Sequence, residues 1–131
     1  MRSKVRWLDR HIAAAGPFLA LCLSEVEFAA ACRHIRVQPP PWIKSPQAQA
    51  MCHHFDGPRG LCSIICIRDY CGRNAVEVAG LLVHEAVHVW QEYADCIGET
   101  SPGREQEAYA IQSIAQELMA EFARRASAFT R

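Results

Sequence analysis

A chain of 131 residues, half of them apolar, has enough material for one domain, spanning 1–131, with one modest core, and none for a separate substrate-recognition domain. Fourteen Lys and Arg balance fourteen Asp and Glu, so broad electrostatic attraction to nucleic acid is not expected. Charge interrupts every apolar stretch well before membrane-spanning length, so no transmembrane helix is expected either.

The N-terminus, Met1-Arg2-Ser3-Lys4-Val5-Arg6-Trp7, is basic like the start of a secretory signal, but Asp9, Arg10 and His11 stand where an apolar stretch should follow. A cytoplasmic protein is expected. Trp7, Leu8 and Ile12 suit a short helix or packing across other elements. Residues 17–35 read as one helix, with Pro17 at its start and Val37-Gln38-Pro39-Pro40-Pro41 ending it. The triple proline is a stiff connector, and residues 42–47 read as loop.

Residues 48–55 and 61–68 flank the turn cluster Asp56-Gly57-Pro58-Arg59-Gly60, which predicts a β-hairpin. If Phe55 pairs with Leu61, then Cys52, His54, Cys62, Ile64 and Cys66 share one face. Two readings of the cysteine-rich hairpin stay open. Cys52, His54, Cys62 and Cys66 are candidates for a structural zinc site, although no C-x-x-C spacing is present. The seven cysteines also suit reduced, mostly buried thiols in a cytosolic protein.

The run Leu81-Leu82-Val83-His84-Glu85-Ala86-Val87-His88-Val89-Trp90 places H-E-x-x-H in a segment with helical periodicity. Asn74 is an N-cap and Glu77 its capping-box partner, so a helix from about Ala75 to about Ala94 is expected. Residues four apart are about one turn apart, so His84 and His88 share a face and can present ring nitrogens to one zinc ion, with Glu85 beside them to act on water. Val76, Ala79, Leu82, Val83, Ala86, Val87, Trp90 and Tyr93 surround much of the helix. They predict a buried helix interrupted by a polar line of Glu77, His84, His88, Gln91 and Asp95. Buried polar groups need partners, so the histidines would need a ligand or a hydrogen-bond network. Two satisfied core histidines are the competing reading.

Ser101-Pro102-Gly103-Arg104-Glu105 then opens a second helix, with Ser101 as cap and Pro102 in first position. Ala108, Ile111, Ala115, Leu118, Met119 and Phe122 recur at helical spacing, so one side faces a core. Glu105 can deliver a carboxylate beside the histidines, which would complete a His2Glu zinc site.

His84-Glu85-Ala86-Val87-His88 followed by Glu105-Gln106-Glu107-Ala108-Tyr109 resembles the gluzincin metallopeptidases, especially the small single-domain minigluzincins. It is also similar to metallopeptidase-like proteins of bacteriophages and prophages. The resemblance spans roughly residues 50–120, and its two motifs carry it. It implies a zinc ion held by His84, His88 and Glu105, the Glu three residues before a small residue, with Glu107 as the rival ligand. It also implies an edge strand beside the cleft that binds extended peptide, for which Ile64–Arg68 is the candidate.

The expected fold is therefore α+β: an N-terminal helix, a small antiparallel sheet, the H-E-x-x-H helix, and a C-terminal helix bearing the third ligand. The expected activity is zinc-dependent hydrolysis of peptide bonds in a peptide or protein substrate, with Glu85 as general base and then acid. Tyr109 is the first candidate for stabilising the oxyanion, ahead of Tyr93 and His54. Glu77, Glu92 and Asp95 are candidates for orienting the histidines. A non-catalytic zinc-containing peptide-binding module is the alternative, and an amide hydrolase acting on non-peptides is a third reading. Oligomeric state is open.

Overall fold

Alternation along residues 60–67 accounts for most of the architecture. A computed structural model describes residues 5–8, 17–57 and 59–129. In chain order it contains β1 (Phe18–Cys22), α1 (Glu25–His34), β2 (Ala50–Gly57), β3 (Gly60–Ile67), a 3-10 turn (Tyr70–Gly72), α2 (Ala75–Cys96) and α3 (Arg104–Phe129). This is a small α+β fold. Among the described residues, no helix is long and apolar enough to cross a membrane.

β3 is the central strand of a three-stranded sheet, ordered β1-β3-β2. From Cys62 to Ile67 it is buried on both faces. Ile64, Cys66 and Cys62 pack on one side with Phe28, Ala31 and Cys32 of α1. Ile65 and Ile67 pack on the other with Val78, Leu82, Ala86, Val89 and Trp90 of α2 and Ile114 and Leu118 of α3. A near-continuous apolar run is what a strand covered on both faces requires. The single core expected from the composition is thus divided by the sheet into two.

Three expectations change here. Residues 17–35 do not form one helix, because Phe18–Cys22 is a strand paired in parallel with Cys62–Cys66. Ser24 then starts α1, its side chain accepting from Glu27 N at 3.2 Å. A five-residue apolar run satisfies strand and helix periods alike, and the backbone partners offered by β3 decide between them. The sheet is consequently mixed and not antiparallel. The edge-strand assignment to Ile64–Arg68 also fails, since β3 has neighbours on both sides, and β2 borders the open edge instead.

The hairpin register differs by one residue from the expected pairing. Phe55 faces Cys62, His54 faces Ser63, and Cys52 faces Ile65. The strands run closer to the turn than the five-residue turn cluster implied, to Gly57 and from Gly60, whose φ of +125° suits glycine. A one-residue slip exchanges faces. Cys52 and His54 therefore look toward α2 while Cys62 and Cys66 look toward α1, and the proposed Cys52, His54, Cys62, Cys66 zinc site is split across the sheet. Cys22, Cys32, Cys62 and Cys66 are buried thiols, and burial pushes the Cys32 thiol up to about 11, a poor nucleophile at neutral pH.

Among the N-terminal residues, Trp7 and Leu8 are not helical. Leu8 bridges to Leu19 and the Trp7 Nε1–H donates to His34 Nδ1 at 3.0 Å. Ile12 and His11 lie outside the described residues.

Candidate active site

Helix α2 starts where its capping box predicts. The Asn74 side chain accepts from Glu77 N at 2.9 Å, and Asn74 Nδ2 donates back to Glu77 Oε1 at 3.0 Å. The helix buries Val78, Leu82, Ala86, Val89, Trp90, Tyr93 and Ala94. The polar line does not share that burial: Glu77, His84, His88, Gln91 and Asp95 are exposed, as is Val76. The histidines accordingly face solvent in a cleft, and no core network is needed to satisfy them. Glu85 is the residue that goes inside, at 5% exposure.

The cleft lies between α2 and the open edge strand β2. Two adjoining hollows, of about 460 and about 570 Å³, share Ala50, His84 and Glu85. The first continues past Cys52, His54 and His88 to Glu92 and Asp95. The second passes Gln49 and Leu81 toward Glu77.

His84 Nε2 and His88 Nε2 are 3.2 Å apart, with ring planes 75° apart. Two nitrogens bound tetrahedrally to one zinc at the usual length stand about 3.3 Å from each other. The His88 Nδ1–H donates to Gln91 Oε1 at 3.1 Å, which leaves Nε2 with its lone pair toward His84. Gln91 is therefore the partner that orients His88, a role for which Glu77, Glu92 and Asp95 were the sequence candidates. Its three-residue spacing from His88 was the available signal. Burial pushes the Glu85 carboxyl above the ordinary carboxylate range, and the neighbouring His84 and His88 partly oppose that.

His54 enters from β2. Its Nδ1 lies 2.9 Å from the Oγ of Ser63, a residue with no solvent exposure. Burial lowers the His54 pKa from its usual value, Glu92 opposes the shift, and His88 and His53 add to it. Cys52 beside it is held far above the ordinary thiol range by burial, reinforced by Glu85 and Glu92.

The C-terminal helix starts later than expected. It begins at Arg104, so Ser101 and Pro102 precede it, and Ser101 N instead donates to Glu99 Oε1 at 3.1 Å. Glu105 and Glu107 both fall in its first turn. Glu105 is exposed, whereas half-buried Glu107 accepts a hydrogen bond from Trp90 Nε1 at 2.8 Å. Tyr109 is 64% exposed and lines neither hollow. Among the described residues, no group of three or more His, Cys, Asp or Glu is gathered closely enough to hold a metal. The histidine pair thus fits two positions of a zinc site, and neither α3 carboxylate is drawn up to it.

Comparison with protein-family models, with curated proteins and with solved structures finds no match.

Proposed function

We propose that this chain is a zinc-dependent peptidase whose centre is His84, Glu85 and His88 in the cleft under β2. The observation that carries the reading is the 3.2 Å separation of the two Nε2 atoms beside the buried carboxyl of Glu85. His84 and His88 would hold the metal with a carboxylate from the first turn of α3. The motif spacing points to Glu105. The hydrogen bond from Trp90 favours Glu107 as a second reading, because it turns that carboxylate toward α2 and would orient it as metal ligands are commonly oriented.

Bound zinc would supply Lewis acidity, bringing water to a pKa near 7 and polarising a carbonyl. The rest falls to the protein. Glu85, raised above the ordinary carboxylate range by its burial, accepts the proton of the attacking water and returns it to the leaving amine. The unpaired edge of β2 would hold an extended peptide by main-chain hydrogen bonds along the two hollows. This gives the substrate-binding role to Ala50–Gly57.

A non-catalytic peptide-binding module would need the histidines and β2 but not a buried Glu85, since desolvating a carboxyl costs stability with no return in a structural site. A cytoplasmic site of action is part of the proposal. The test is cleavage of a peptide library by zinc-loaded wild type and Glu85→Gln. Wild type should cleave, and Glu85→Gln should keep its zinc and lose at least about 10²-fold in rate. Equal cleavage by both proteins would overturn the assignment.

A further inference from the structure

We propose that His54 is a catalytic residue of this site, donating an Nε2–H hydrogen bond to the oxyanion that forms on the scissile carbonyl. The inference rests on the peptidase reading above and adds to it a group that neither H-E-x-x-H nor the α3 motif contains.

Position comes first. His54 lies on the edge strand that borders the cleft, and it lines the same hollow as His84, Glu85 and His88. The hairpin register is what puts it there: pairing with Ser63 turns His54 toward α2, while His53 turns the other way against Phe28 at 4.5 Å between ring centroids. A peptide laid along β2 would run past His54 with its carbonyls alternately facing the strand and the cleft.

The ring is also held. Ser63 is wholly buried in the central strand, and its Oγ is 2.9 Å from His54 Nδ1. Cys52 Sγ lies 3.9 Å from the same nitrogen. With the Ser63 hydroxyl donating to Nδ1, the imidazole proton resides on Nε2, which makes no hydrogen bond to a described residue. A donor fixed in advance on a ring that lines the cleft is the arrangement that stabilises developing negative charge. Ser63 is then a positioning residue that acts through His54.

The step balances without a further reactant. The water oxygen bonds to the carbonyl carbon, the π pair moves onto the carbonyl oxygen, and Glu85 takes the water proton. When the oxyanion collapses, the C–N bond breaks and Glu85 delivers that proton to the departing nitrogen. His54 donates a hydrogen bond throughout and transfers no proton. Tyr109, which lines neither hollow, is not needed for this.

The experiment compares zinc-loaded wild type, His54→Ala, His54→Gln and Tyr109→Phe in kcat, KM, metal content and thermal midpoint. Nitrogen-resolved NMR of the metal-free wild type reads the His54 tautomer. His54→Ala should keep one zinc per chain and lose about 10²–10³-fold in kcat, with KM changed by less than about threefold. His54→Gln, whose amide N–H can occupy the place of Nε2–H, should recover about tenfold of that loss. Tyr109→Phe should match wild type, and the tautomer should be Nε2–H. Wild-type kcat in folded His54→Ala, loss of zinc from it, a change in KM alone, or an Nδ1–H tautomer would each overturn the proposal. If His54→Ala does not fold, the His54→Gln rate and the tautomer decide it. A wild type that holds zinc and cleaves nothing would instead remove the peptidase reading itself, a result visible before any His54 variant is examined.

Discussion

The hydrogen bond between Trp90 and Glu107 ties the H-E-x-x-H helix to the helix proposed to supply a third ligand, and its strength can be measured without metal. Trp90→Phe keeps an aromatic ring in place but removes the Nε1–H that donates to Glu107 Oε2 at 2.8 Å. A hydrogen bond to a charged acceptor contributes about 1.5–3 kcal/mol. Glu107 is half-buried, so solvent competes for it and about 1.5 kcal/mol is the appropriate end of that range. Trp90 is 2% exposed, so the smaller ring also leaves unfilled volume, costing about 1–2 kcal/mol more. Trp90→Phe should therefore cost about 3 kcal/mol in all. A double-mutant cycle with Glu107→Met separates the two contributions, because only the hydrogen bond couples the residues specifically. Urea unfolding of the metal-free wild type, both single variants and the double variant should give a coupling energy of about 1–1.5 kcal/mol. Coupling below about 0.3 kcal/mol would show that Glu107 is not held by Trp90, and the case for Glu107 as a ligand would go with it.

Other consequences concern the core and the pH dependence of stability. Ile65 is fully buried between the sheet and α2, so Ile65→Ala should lower the unfolding free energy by about 2–5 kcal/mol in urea titrations; a loss under about 1 kcal/mol would contradict the two-sided burial of β3. His53 is held below the usual histidine range chiefly by burial, with its bond to the Trp42 carbonyl opposing and Lys44 adding to the shift. The unfolded chain therefore binds a proton at this residue at higher pH than the folded protein does. Stability should be retained above about pH 6.5 and fall as the pH drops through that value toward the folded pKa. His53→Gln, which can still donate to Trp42 O, should flatten the difference between urea midpoints at pH 7.5 and pH 5.5, and an unchanged difference would exclude His53 as its source.

Helix α2 was legible because its signals are local. The Asn74 and Glu77 cap, the apolar period and the spacing of His84 and His88 all lie within one segment; the cap reappears with its expected hydrogen bonds and the two histidines share a face, while Val76 and Val83 of the apolar period are exposed. The polar line was read in place but assigned to the interior. Periodicity locates a stripe on a helix, but here the open edge of β2 leaves that stripe in a cleft. β1 was not legible, since Phe18–Cys22 acquires strand character only by pairing with residues more than forty positions away. The hairpin was legible but its register was not, and a single residue decided whether His54 shared a face with Cys62 or with Ile65. For α3, spacing placed Glu105 near the start of the helix with Glu107 as its rival, without saying which faced α2. That depended on where the helix begins, and it begins after the expected Ser101 cap.

The central claim is most directly tested by elemental analysis of zinc in wild type, His84→Ala, His88→Ala, Glu105→Gln and Glu107→Gln after purification and zinc loading. The expected result is one zinc per wild-type chain, lost in both histidine variants and weakened in one of the two glutamate variants, which would identify the third ligand. A wild-type protein that is folded, is purified without metal and cannot take up zinc would contradict the claim, whatever the spacing of its histidines.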